Sequence, residues 1–133
     1  MAINHINKYS QDLDQKNNQH QVMDYLSGLG QLQICDPTIV TDKNRFAGCE
    51  APIYITAHKT ITDNWSFSVH SSDLSTLGIA YMMFDILSTC SHEEMHGLSF
   101  NDFSLITMYF SITKKRDLQV ILNATQHLIG NNL

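Results

Sequence analysis

Residues Ser91–Gly97 read SHEEMHG and contain His92-Glu93-x-x-His96. On a helix this spacing aims two imidazoles at one zinc ion and sets a carboxylate beside a metal-bound water, the outline of a minimal zinc hydrolase. That chemistry needs a rigid helix extending beyond both histidines, and a third ligand. Here Ser91 directly precedes the first histidine and Gly97 directly follows the second. Ser91 and Glu94 stand in the S-x-x-E relation of a capping box, which gives Glu94 a structural reason to be present. Downstream of His96 there is no glutamate, and only His127, Asp102 and Asp117 remain as further ligands. His92, Glu93 and His96 are therefore read as a capped turn rather than a metal site, and neither a metal nor a cofactor is expected.

Other groupings read as surface or scaffold. His58-x-Thr60 and His70-x-Ser72 look like paired H-x-[ST] phosphoesterase signatures, yet they fall where the polar face of a sheet would place them. Asp12-x-Asp14 lacks the glycine and the closing glutamate of a calcium loop. Cys90 and His92 are neighbours, but adjacency alone does not make a thiolate–imidazole pair. Lys114-Lys115-Arg116 lies at a helix start, where the dipole disfavours cations, and reads as a solvated turn. Cys35, Cys49 and Cys90 form no C-x-x-C and fit a reducing compartment as small hydrophobes or idle thiols. No catalytic residue is assigned, and the expectation is a protein that is not an enzyme.

Composition sets the frame for these residues. With 133 residues, 43% of them hydrophobic, the chain has material for one core. A formal charge of −5 argues against tracking nucleic-acid phosphates. Residues 1–15 lack an apolar leader core, and the apolar run Gly78–Leu87 is broken at Asp85 and too short to cross a bilayer. A cytoplasmic protein with no nucleic-acid partner and no membrane insertion is expected.

The elements follow from periodicity. Residues 1–18 read as a polar arm, and 19–133 as a single α+β domain. Val22, Met23, Leu26 and Leu29 recur at helical spacing until Gly28 and Gly30 end the run. A short β-branched piece at Thr38–Thr41 precedes a polar loop, Asp42–Gly48. The stretches from Ile53 and from Trp65 alternate around the Asp63-Asn64 turn, predicting a hairpin with Ile53, Ile55, Trp65, Phe67 and Val69 in the core. Ser72 or Asp73 caps a helix to about Ser88, Phe103–Ile112 reads as a strand, and Thr113 caps a final helix. The order α-β-β-β-α-β-α predicts an antiparallel sheet packed by helices.

Past its first turn the Leu74–Ser88 helix offers only Asp85 and Ser88 as polar positions. A helix apolar all round is buried all round. Phe103–Ile112 is apolar on both of its strand faces. Together they present more apolar surface than one core is expected to cover, which predicts a homodimer with Leu77, Tyr81, Phe84, Ile106, Met108 and Phe110 at a two-fold interface.

The strand Asn64–His70 leading into Leu74–Leu87, and Phe103–Ile112 leading into Asp117–Ile129, make the chain resemble a class I type III secretion chaperone over roughly Gln19–Leu133. The resemblance implies a non-enzymatic homodimer that binds an extended segment of a secreted effector protein and keeps it competent for secretion. Client side chains would enter shallow pockets beside a strand edge. A small acidic immunity or inhibitor protein, binding a folded toxin or enzyme, remains the alternative class.

Overall fold

The computed structural model describes residues 2–131, and its α+β architecture is the one expected: helices packed on an antiparallel three-stranded sheet. Residues Ala2–Asp14, read as an arm, form helix α1, with Ile6, Tyr9 and Leu13 buried at helical spacing. Helix α2, Gln19–Leu32, is capped by the Asn18 side chain, which accepts from the Gln21 amide at 2.9 Å. Strands β1 (Arg45–Phe46), β2 (Ile53–Lys59) and β3 (Trp65–His70) follow in spatial order β1-β2-β3. Helix α3 spans Leu74–Leu87, α4 His92–Gly97, α5 Ser104–Thr107 and α6 Ile112–Asn131.

The hairpin pairs Tyr54 with His70 and Lys59 with Trp65. Ile53, Ile55 and Val69 are fully buried, whereas Trp65 and Phe67 are only half-buried. Asp73 caps α3, accepting from the Ser75 amide at 2.9 Å and its hydroxyl at 2.7 Å.

Several elements differ from expectation. Thr38–Thr41 is not a strand: Asp36-Pro37 starts a 3-10 turn over Pro37–Ile39, with the Asp36 carboxylate capping Thr38. The first strand instead falls at Arg45–Phe46, inside the expected polar loop. Phe103–Ile112 is not a strand: a 3-10 turn over Phe100–Phe103 runs into α5, and a turn over residues 108–111 leads to α6. The buried apolar residues of this stretch are Phe103, Ile106 and Phe110, a three-then-four spacing that fits helix and turn rather than the alternation of a strand.

The apolar surplus of α3 is taken up inside the chain. Helix α2 lies against it so closely that a Cβ on Gly30 would overlap the Leu74 carbonyl, and one on Gly78 the Leu26 carbonyl. Helix α1 covers another side, and Asp85 marks where it docks: Tyr9 Oη donates to Asp85 Oδ2 at 2.6 Å. Asp12 and Asp14 accept from Tyr25 Oη and Tyr109 Oη, at 2.8 and 2.7 Å. Of the six residues expected at a dimer contact, Leu77, Ile106 and Phe110 are buried within the single chain. Tyr81 and Phe84 are half-buried, Phe84 stacking on Phe67, and Met108 is 65% exposed. Nothing in the structure shows a homodimer. Among the described residues no helix is long and apolar enough to cross a membrane.

Candidate functional site

The His92–His96 segment forms the predicted capping box: Ser91 Oγ accepts from the Glu94 amide at 3.1 Å, and Glu94 Oε1 accepts from the Ser91 amide at 3.2 Å. The helix is six residues long. The two imidazoles lie 4.7 Å apart between centroids, but His92 Nδ1 accepts from Trp65 Nε1 at 3.1 Å. Among the described residues no three His, Cys, Asp or Glu side chains come together as a metal set. Cys90 and His92 do not pair either, since the Cys90 thiol donates to the Ile86 carbonyl at 3.6 Å.

The chemistry gathers at Cys49. The loop between β1 and β2 brings it back over α6, through Gly48 at φ +117°, a conformation that side chains with a Cβ rarely adopt. The same glycine is needed for space, because a Cβ there would stand 2.7 Å from Val120 Cγ2. One and two turns earlier on α6 lie Asp117 and Lys114, 2% and 5% exposed. Lys114 Nζ donates to Asp117 Oδ2 at 3.0 Å and lies 3.6 Å from Asp73 Oδ2. Thr76 Oγ1, from α3, donates to the same Asp117 oxygen at 3.0 Å. Asp117 Oδ1 has no hydrogen-bond partner.

These groups set the state of the thiol. Burial first, then the charge of Asp117 and contact with its carboxylate, push Cys49 up to about 12, with Lys114 pulling the other way and Asp73 adding to the rise. The Cys49–Asp117 approach is a proximity without regular hydrogen-bond geometry, since Oδ1 stays unpartnered. Burial works to raise Asp73 as well, but hydrogen bonds from Ser75, the Lys114 charge and the capping amides outweigh it and hold that carboxyl below its usual value. A buried ion pair costs more in desolvation than a well-packed apolar pair of the same size. This cluster is therefore a poor choice as scaffold alone. An open cleft of about 430 Å³ adjoins it, lined among others by Gln19, Glu50, Asp73, Ser111 and Lys114.

Sequence reading misses this assembly. By pattern Lys114 is a solvated cation, Cys49 an idle thiol, and Asp117 no more than a distant ligand candidate. The local signals are the Gly48-Cys49 step in a polar loop and the i, i+3 spacing of Lys114 and Asp117. Cys35, by contrast, follows Ile34, which is 86% exposed, on the segment after α2.

A family model described as SufE, Fe-S metabolism associated domain, matches residues 7–128. That match overturns the resemblance to a class I type III secretion chaperone, and with it the secreted-effector partner and the immunity-protein alternative. The order of strand and helix on which the resemblance rested is itself altered, because Phe103–Ile112 is not a strand. The fold is also similar to the solution structure of a hypothetical protein from Thermus thermophilus, with a TM-score of 0.67 at 14% identity over 96% of this chain and 94% of that one. At that identity the likeness speaks for the fold alone. No curated protein sequence matches the chain.

Proposed function

The chain belongs to the SufE family, and on that premise we propose that it is a sulfur acceptor of iron–sulfur metabolism. It takes a sulfur atom as a persulfide on Cys49 from a cysteine desulfurase and passes it on toward cluster assembly. The observation that carries the choice of residue is the setting of Cys49. Of the three free cysteines it is the one held on a glycine-dependent loop against a buried Lys114–Asp117 pair.

The step is an exchange between sulfurs. The Cys49 sulfur attacks the terminal sulfur of a donor persulfide, R–S–SH. The donor S–S bond breaks as the Cys49 S–S bond forms, and the released donor thiolate takes up the proton that Cys49 gives away. The products are Cys49–S–SH and R–SH, and no electrons are gained or lost overall. Lys114 supplies positive charge that favours the attacking thiolate and the terminal sulfur of the product. The protein acts here as a carrier, each transfer being completed by the protein it meets.

The test is sulfur loading. After incubation with a cysteine desulfurase and free cysteine, the unmodified chain should gain one sulfur atom, removable by a thiol reductant and confined to the Cys49 peptide. Cys49→Ser should abolish the gain, while Cys35→Ser and Cys90→Ser keep it. Loading on Cys35 or Cys90 instead would overturn the assignment.

A further inference from the structure

Away from the Cys49 site, side chains that can take up a proton gather at the start of α4. Trp65 Nε1 donates to His92 Nδ1 at 3.1 Å, and the two rings stack with centroids 5.9 Å apart. An indole N–H can only donate, so this bond requires a neutral His92 whose proton sits on Nε2. A protonated imidazole is a donor at both nitrogens and would turn an N–H toward the indole N–H. The bond cannot survive that change in place. His96 adds to the crowding, standing edge-on to His92 with ring centroids 4.7 Å apart.

Among the described residues this is the one hydrogen bond that joins the hairpin to α4. The other end of the helix is fastened to α6, where Gln126 Nε2 donates to the Met95 carbonyl at 3.0 Å and to the Leu98 carbonyl at 2.7 Å. Met95 packs with Leu87 and Ile129 in a small apolar cluster separate from the main core, with Trp65 at its edge. A cleft of about 380 Å³ lies between the hairpin tip and α4, lined among others by Lys59, Trp65, Cys90, His92 and Met95.

We propose that the Trp65–His92 contact is a proton-operated clasp: neutral His92 holds the start of α4 on the hairpin, and protonation releases it, so that α4 tilts on its Gln126 tie and the cleft over Leu87 and Met95 widens. Imidazole is the side chain suited to such a change in mildly acid solution. The titratable and charged groups around His92 are Lys59 and Asp63 on the hairpin, Cys90 after α3, and Glu93, Glu94 and His96 on α4 itself. Lys59 lies over the Trp65 ring at 5.5 Å and pairs with Asp63 at 3.4 Å, while the Glu94 carboxylate is taken by the Ser91 amide. Helix α6 meets His96 with backbone at Gly130, where a Cβ would stand 3.3 Å from His96 Cε1. The proton on His92 thus decides whether the indole keeps its acceptor.

Trp65 is the only tryptophan of the chain, so its fluorescence reads the clasp directly. The test follows the full chain from pH 8 to pH 5 by emission, acrylamide quenching and far-UV circular dichroism. Emission should dim and shift to the red with a one-proton profile, and the quenching constant should rise about twofold as the imidazole charges and the ring comes free. Circular dichroism should keep its native helical signal. His92→Gln offers a side-chain oxygen that accepts at every pH, so both fluorescence changes should vanish, whereas His96→Gln should keep them. Changes that persist in His92→Gln overturn the clasp, as do their loss in His96→Gln alone, dimming without a gain in acrylamide access, and unfolding across the same range. Should His92→Gln not fold, the lone indole N–H resonance of the unmodified protein decides. Its movement in step with the His92 ring carbons supports the clasp, and an indole N–H indifferent to pH overturns it.

Discussion

Cys49 titrates high because its thiolate would be formed in a half-buried place facing Asp117. The folded chain therefore holds that proton more tightly than the unfolded chain, whose thiol has the ordinary value of 9.0. Between there and about 12 the unfolded state has lost a proton that the folded state keeps, so stability is full below this window and falls as pH rises through it. Tyr9 and Tyr25 are raised by burial and by their bonds to Asp85 and Asp12, and they act in the same alkaline direction. Urea midpoints measured against pH should thus decline above about pH 9. Cys49→Ser should flatten part of that decline, and an identical slope in the variant would contradict the burial of this thiol. At this scale the sequence is legible only where partners are close along the chain. Ser91 and Glu94 are three apart and can be paired on sight. Cys49 meets Asp73 and Asp117 only after the loop, α3 and α6 have been assembled, and no spacing announces that.

Helices α2 and α3 touch backbone to backbone at Gly30 and Gly78, and this contact explains how one chain buries so apolar a helix. Gly30→Ala must push the Leu74 carbonyl away, and should cost at least about 1–3 kcal/mol in urea unfolding. A variant as stable as the parent would mean the helices part without loss. Ser91→Ala removes one half of the α4 capping box, and should cost about 0.5–2 kcal/mol while leaving sulfur loading on Cys49 intact. The hairpin and α3 are legible because alternation around Asp63-Asn64 and the Asp73 cap are local signals. Residues 103–112 are not. Their apolar residues are dense enough to fit either period, and only packing of Phe103, Ile106 and Phe110 against the core selects the helical one. Glycine in α2 has the pattern of a stop signal, although Gly30 is buried within the helix as a contact point.

At the scale of the whole molecule, the six residues expected at a two-fold contact separate by burial within the single chain: Leu77, Ile106 and Phe110 are buried, Tyr81 and Phe84 half-buried, and Met108 exposed. Phe110 is 5% exposed, so Phe110→Asp buries an unpaired charge and should leave the protein unfolded by circular dichroism. Met108 is 65% exposed, and Met108→Asp should fold with an unchanged melting temperature and an unchanged mass by light scattering. A folded Phe110→Asp protein of half the parent mass would place Phe110 at a contact between two copies. The sheet, finally, is unevenly fastened. Strand β1 holds to β2 through Arg45↔Tyr54 and Phe46↔Ile53 alone, whereas β2 and β3 are paired from Tyr54↔His70 to Lys59↔Trp65. Local opening costs only what the detached unit loses, so β1 and the Cys49 loop can come away while the rest of the molecule stays native. Deuterium should enter the amides of residues 45–50 well before those of β2 and β3, which wait for global unfolding. The thiol therefore sits behind a two-residue ladder, and its exposure is expected to follow the breathing of that ladder rather than the stability of the whole protein.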